Sequence, residues 1–108
     1  MALLPCPYLH AEVDLSAERE RHIAERHPDL LPTHRDRIAA TLAEPDQVRR
    51  SVRFGSARLF SRWYTDLRGG KHVVVVVVSG PVASGHHWVI TAYLARKLAE
   101  GEAEWKRS

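Results

Sequence analysis

The sequence predicts an α+β fold in which N-terminal helices pack on an antiparallel sheet of about four strands, within a single domain spanning residues 1–108. Three observations predict it. Apolar residues recur at helical spacing in the first half, as in Ile38, Ala39 and Leu42. After Pro45 the period falls to two, the spacing of a strand with one buried side. The six consecutive valines Val73 to Val78 show no alternation, which reads as a central strand covered on both faces.

Element by element, residues 1–9 hold two prolines around Cys6 and read as an irregular arm leading into a short strand at 10–15. Ser16 is placed to cap a helix, with Glu18 and Glu20 near its positive end. That helix is expected to run to about His27, because Pro28 pushes the residue before it out of helical geometry. Leu30, Leu31 and Pro32 connect to a second helix at 33–43, capped by Thr33 with Asp36 as a short-armed capping box. Pro45 ends it. Strands follow at 47–53 and 57–65, and Arg68-Gly69-Gly70 turns the chain into a strand at 71–79. Ser79-Gly80-Pro81 breaks that strand, and a further strand is expected at 87–94. Its alternation puts Trp88, Ile90, Ala92 and Leu94 on one face, read as core, and His87, Val89, Thr91 and Tyr93 on the other. Residues 95–108 read as a C-terminal helix or tail, docked through Leu94, Leu98 and Trp105 and weakened by Gly101.

Composition narrows the function classes. A chain of 108 residues buries roughly 65% of its unfolded surface, enough for a core without staples. Its one cysteine, Cys6, cannot form an intramolecular disulfide, and no C-x-x-C pair offers a structural zinc site. No apolar stretch approaches the roughly 18 residues of a membrane span, and no basic segment followed by a long apolar run opens the chain. The expectation is a cytoplasmic protein with no membrane partner, as monomer or homodimer. The 16 Lys and Arg against 13 Asp and Glu give a net charge of only +3, too mild for a histone-like binder. The basic charge is regional, however: Arg49, Arg50, Arg53, Arg58, Arg62, Arg68 and Lys71 crowd one stretch, interrupted only by Asp66. An anionic ligand is expected to meet the middle of the chain.

Three clusters carry candidate chemistry. His22-Ile23-Ala24-Glu25-Arg26-His27-Pro28 is the densest. Helical spacing turns His27 inward beside Ile23 and Ala24, with His22 and Arg26 roughly opposite. The plain alternative is a core-edge histidine bonded to a carbonyl; the functional one is an imidazole at the sheet rim, able to give or take a proton near neutral pH. The second cluster is His87, Thr91 and Tyr93 on the polar face of the last strand, where threonine is also simply a good strand former. The third is Arg58, Arg62 and Tyr64 on alternate positions of one strand, a pattern that solubility alone also produces; Arg53 and Lys71 add potential phosphate contacts. A metal is the obvious competitor for 7 histidines, but His22 and His27 are five apart and the adjacent His86 and His87 diverge in a strand. Neither a metal nor another cofactor is expected. Cys6 sits in a proline-flanked arm with no neighbouring basic residue to activate it.

Three pieces occur together in order: His-x-x-x-Arg-His-Pro at 22–28, Glu-Pro-Asp-Gln-Val at 44–48 and Val-Ile-Thr-Ala-Tyr at 89–93, with Leu-Phe-Ser-Arg-Trp-Tyr at 59–64 and the valine strand between them. Over roughly residues 20–105 the chain resembles the phage-associated nuclease-like families of the barnase, EndoU, colicin and RelE (BECR) superfamily. The resemblance implies a BECR or RelE-like nuclease fold, with helices against a curved antiparallel sheet, and metal-independent cleavage of RNA. It maps site positions onto His27 and Arg26 at the helix end and onto Thr91 and Tyr93 in the last strand. His22 belongs to the same helix motif, Arg62 and Tyr64 match the central strand motif less firmly, and His87 lies in no motif of the family. Many members of the superfamily are toxins, which implies an antitoxin or immunity protein as a neutralising partner.

Such residues suit the chemistry. Metal-free RNA cleavage needs a base for the 2′-hydroxyl proton, a cation for the pentavalent phosphorane and an acid for the departing 5′-oxygen. His27 is expected as general base or acid, Arg26 or Arg62 as phosphate clamp, Thr91 as hydrogen-bond donor, and Tyr64 or Tyr93 as a base-stacking or phosphate-binding group, giving a 2′,3′-cyclic phosphate. His22, Arg53, Lys71 and His87 fall to substrate binding. The alternatives are a non-catalytic RNA- or protein-binding module on the same fold, or an assembly protein whose polar clusters are only surface. Convergence of His27, Arg26 and Thr91 within a phosphate's reach separates the first from the second; an electropositive concavity between the first helix and the last strand argues against the third.

Overall fold

The computed structural model describes residues 2–53, 56–98 and 102–107, in which the chain forms β1 (Ala2–Cys6), β2 (Ala11–Leu15), α1 (Ala17–Arg26), α2 (Arg35–Ala43), β3 (Gln47–Arg50), β4 (Ala57–Tyr64), β5 (Lys71–Ser79), β6 (His87–Ala95) and β7 (Glu102–Lys106). All seven strands join one sheet in the order β1-β2-β6-β5-β4-β3-β7. The sheet is mixed: β2 runs parallel to β6, meeting it at Asp14 and Trp88, and every other pairing is antiparallel. The expected sheet of about four antiparallel strands, and with it the four-stranded nuclease fold, is therefore corrected to seven strands of mixed direction.

The extra strands arise at the two ends. The segment read as an irregular arm at 1–9 is mostly β1, in which Leu4 and Cys6 point inward while Leu3 and Pro5 point out. Proline is tolerated there because β1 is an edge strand, where one side of the backbone needs no ladder donor. Pro7 then opens a short 3-10 turn, Pro7–Leu9. At the other end, residues 102–106 of the expected helix or tail form β7. Their composition, Glu-Ala-Glu-Trp-Lys, has little strand propensity, and pairing with β3 overrides it. Residues 99–101, including Gly101, lie outside the described residues.

The expected helices are both present. The Ser16 hydroxyl accepts from the Arg19 amide at 3.1 Å, and His27 closes α1. Thr33 does not cap α2; His34 stands at that position without a side-chain cap, so Thr33 and Asp36 form no capping box. Both helices lie against one face of the sheet, where α2 packs on β1, β4 and β5 and α1 follows β6. Ile23, Ile38 and Leu42 bury there against Val13, Leu15, Val48, Phe60, Val73, Val75, Val77, Val89 and Ala92. Among the described residues the opposite face carries no α-helix. A smaller cluster occupies it, with Ala57, Val74 and Val76 under Leu59, Val78, Ile90, Tyr93, Ala95 and Leu98.

One register shift decides which residues of β6 share a face. Val77 pairs with Val89 but Val76 pairs with Thr91, so Ile90 is the extra residue of a β-bulge. The bulge overturns the simple alternation: His87, Val89, Ala92 and Leu94 lie on the helix-covered side, and Trp88, Ile90, Thr91 and Tyr93 on the helix-free side. Among the described residues no helix is long and apolar enough to cross a membrane.

Candidate functional site

The helix-free face gathers one constellation around Tyr93. Because β2 meets β6 only at Trp88, the rest of that edge of β6 is followed by α1, whose Arg19 donates from Nη1 to the Ile90 carbonyl at 3.4 Å. The end of α1 thereby reaches Tyr93: the His27 and Tyr93 rings lie 6.0 Å apart between centroids, tilted by 39°. On its other side Tyr93 lines a cavity of about 470 Å³ together with Arg49, Arg50, Ser51, Val52, Arg53 and Leu59. The register explains the gathering, since Arg49 of β3 pairs with Leu59, Leu59 with Val76, and Val76 with Thr91, one row running across the sheet. Thr91 stands two residues from Tyr93 and on the same face. Burial pushes the Tyr93 phenol above the ordinary tyrosine value, opposed by the positive charge of Arg49. Its hydroxyl therefore stays protonated at neutral pH, a donor beside a cluster of guanidinium groups.

The remaining candidates of the sequence fall elsewhere. Arg26, next to His27, is exposed at the end of α1, and His22 lies on the outer surface of that helix with Glu18, Arg19, Arg21 and Glu25. Arg62 and Tyr64 sit on the helix-covered face, where the guanidinium groups of Arg37 and Arg62 lie 4.8 and 5.4 Å from the Tyr64 ring centre. The Tyr64 hydroxyl also meets Thr41 at 3.4 Å, so Tyr64 is engaged by α2. The Lys71 ammonium donates to the carbonyls of Arg68 and Gly70 and closes the turn before β5. His27 and Arg53 both approach Tyr93, and Thr91 lies on the same face of its strand; Arg26, Arg62, Tyr64, Lys71, His22 and His87 do not join them, so the expected convergence of His27, Arg26 and Thr91 is not seen.

His87 belongs to a separate network on the helix-covered side. Its Nδ1 is 2.7 Å from the Ser79 hydroxyl, which accepts from Arg58 at 3.5 Å. Arg58 also donates to Glu104 at 3.0 Å, Arg50 pairs with the same carboxylate at 2.6 Å, and the Tyr8 hydroxyl donates to it at 2.6 Å. Burial works against charge on Glu104, but the Tyr8 hydroxyl and Arg58, reinforced by the charge of Arg50, outweigh it and hold its pKa below the usual glutamate value. This carboxylate ties β7 to β4, β3 and the turn after β1. No local pattern marks it, because its partners lie 46 to 96 residues away in the chain. Cys6, buried nearby, has its thiol raised by burial and is held in the protonated, unreactive form.

Sequence reasoning missed Arg49 and Leu59 as lining residues, although the crowding of arginines from Arg49 onward was the available signal. Among the described residues no three His, Cys, Asp or Glu side chains are grouped to hold a metal ion. Compared with protein-family models, with curated proteins and with solved structures, the chain has no significant match in any of the three.

Proposed function

We propose that this protein is a cytoplasmic, metal-independent endoribonuclease that seats RNA on the helix-free face of the sheet. The observation that carries the reading is the placement of Tyr93, whose ring is shared between His27 and an arginine-lined cavity. Basic side chains around an aromatic floor suit single-stranded RNA, since guanidinium groups meet phosphates and Tyr93 offers a stacking surface. The resemblance of the 22–28 and 89–93 segments to phage-associated nucleases supports the same reading.

In this mechanism His27 accepts the proton of a ribose 2′-hydroxyl as its oxygen bonds to phosphorus. The bond from phosphorus to the 5′-oxygen breaks, and that oxygen takes the proton of the Tyr93 hydroxyl. His27 then returns its proton to the tyrosinate, and the products are a 2′,3′-cyclic phosphate and a free 5′-hydroxyl. Thr91 donates to a non-bridging oxygen, and Arg49 and Arg53 offset the charge that builds on the phosphorane.

The test is incubation of the purified protein with mixed RNA in chelator, reading cyclic-phosphate ends. Wild type is expected to cleave, and His27→Ala to lose about 10²- to 10⁴-fold in rate, the usual contribution of a positioned acid or base. Cleavage undiminished in His27→Ala overturns the assignment. RNA binding without cleavage between about pH 5 and 8, where histidine titrates, makes the protein a non-catalytic RNA-binding module instead.

A further inference from the structure

A second cavity on the helix-free face, of about 300 Å³, is lined by Asp14, Ser16, Arg19, His86, Trp88 and Val89. It sits where β2 meets β6, the parallel pairing placing Asp14 directly beside Trp88. Three features of its lining are unused by the fold. Among the described residues the buried Asp14 Oδ1 atom has no hydrogen-bond partner, and Oδ2 has the His86 Nε2 at 3.9 Å, beyond hydrogen-bond range. A desolvated carboxylate oxygen without a donor is costly, so the site favours a ligand that brings donors to it. Arg19 commits Nη1 to the Ile90 carbonyl and keeps further N–H donors at the cavity. The His86 and Trp88 rings lie 4.9 Å apart and make one wall aromatic.

We propose that this cavity holds a guanine base of the bound RNA, read by Asp14 and Arg19 while its ring stacks on Trp88; the inference rests on the RNA reading above. Guanine is the one common base whose pairing edge presents two adjacent donors, N1–H and the 2-amino group, followed by an acceptor, O6. Rotation of the Asp14 carboxyl about its soft terminal torsion turns both oxygens to those donors. Arg19 then donates to O6. Adenine and cytosine each set one donor beside an acceptor, and uracil has a single donor between two acceptors, so each leaves Asp14 half satisfied. The guanidinium of an arginine on a protein partner also carries paired donors, but it brings like charge to Arg19 and offers it no acceptor. Trp88 and Tyr93 share a strand and a face, five residues or roughly 15 Å apart, so one strand of RNA can lie across both.

The experiment measures anisotropy of labelled 2′-O-methyl pentanucleotides, which cannot be cleaved, in a uridine background with guanine, inosine, adenine or uracil at the centre. Wild type is expected to bind the guanine oligomer about tenfold more tightly than the adenine or uracil ones, the discrimination of one good two-point contact. Inosine, which lacks the 2-amino group, is expected to lose several-fold. Asp14→Asn, matched in shape, is expected to bring the guanine-to-uracil ratio close to one with an unchanged circular dichroism spectrum. Equal binding of all four oligomers overturns the guanine pocket while the RNA reading stands. Binding of none of them removes both. Competition by free guanosine monophosphate as tight as the oligomer itself, or Asp14-dependent capture of an arginine peptide with no base preference, overturns the assignment to RNA.

Discussion

The two faces of the sheet are packed differently. On the helix-covered face Val48, Phe60, Val73, Val75 and Val89 are fully buried under Ile23, Ile38 and Leu42, and the polar groups at its rim are saturated, Glu104 alone engaging three donors. On the helix-free face the buried hydrophobics among the described residues are Ala57, Val74 and Val76, beneath half-buried neighbours. Both buried side-chain oxygens that lack a hydrogen-bond partner among the described residues, Asp14 Oδ1 and Ser61 Oγ, belong to strands at positions facing that side. Buried polar atoms without a partner call for an explanation, and Asp14 lines the cavity proposed above to hold a ligand, so the contrast separates a face whose polar groups are satisfied from one whose polar groups are not.

The largest expected effect breaks the stabilising side. Phe60 is fully buried and meets Tyr8 edge-on at 5.9 Å between ring centres, so Phe60→Ala removes a large side chain from a region closed on all sides. A loss of about 3–5 kcal/mol is expected in urea unfolding. Leu59→Ala, its neighbour on β4 but on the opposite face, is half-buried and is expected to cost about 1 kcal/mol. Equal losses at the two positions would show that the helix-free face is also core, and would remove the contrast.

Legibility in the sequence follows the same division. Elements whose neighbours lie close in the chain were readable: Ser16 and Pro28 mark the ends of α1, and the valine run marks β5. The end strands were not, because what makes 2–6 and 102–106 extended is a partner elsewhere, Glu12 and Val13 for Pro5 and Leu4, Arg50 and Val48 for Glu102 and Trp105. The face of His87 was misread for a similar reason, since a bulge at Ile90 is set by pairing with β5 and leaves no sign in the alternation. Of the candidate site, His27 and Tyr93 stood out in the sequence as residue types, and their rings lie 6.0 Å apart. The cavity joining Tyr93 to Arg49 needed the cross-strand register, which no single segment encodes.

A smaller effect sharpens the comparison at the saturated rim. Glu104 has a folded pKa below its ordinary 4.5. Its stabilising contribution is therefore complete above 4.5 and is lost as pH falls through the folded value, because the unfolded chain takes up the proton first. Glu104→Gln keeps the shape but weakens the bonds from Tyr8, Arg50 and Arg58, and is expected to cost about 1–2 kcal/mol at pH 7. The gap between variant and wild type should close as unfolding is measured at successively lower pH. A gap that stays constant would show that the three donors contribute by packing and not by charge.

The smallest effect tests whether burial disfavours imidazole protonation on both faces. His72, on the helix-free side against Trp63 at 4.8 Å, has its pKa lowered by burial, with the charge of Asp46 opposing. His87, at the end of the covered side, is lowered by burial and further by the positive charge of Arg58 and of His86. In each case the unfolded histidine binds its proton near the ordinary 6.5, and the folded one binds it less readily at the same pH. Stability is thus full above 6.5 and declines as pH falls from there through the folded values, a decline that begins at higher pH than that of Glu104. Melting temperature is expected to fall gently between pH 7 and 5.5, and His72→Asn and His87→Asn each to flatten part of that slope. Asparagine keeps a polar group near Nδ1 for Ser79 but cannot take up the proton. If His87→Asn alone flattens the curve, the helix-free face lets water reach its histidine, as a face open to ligand should; if His72→Asn does so equally, that corner under Trp63 is packed as closely as the covered side.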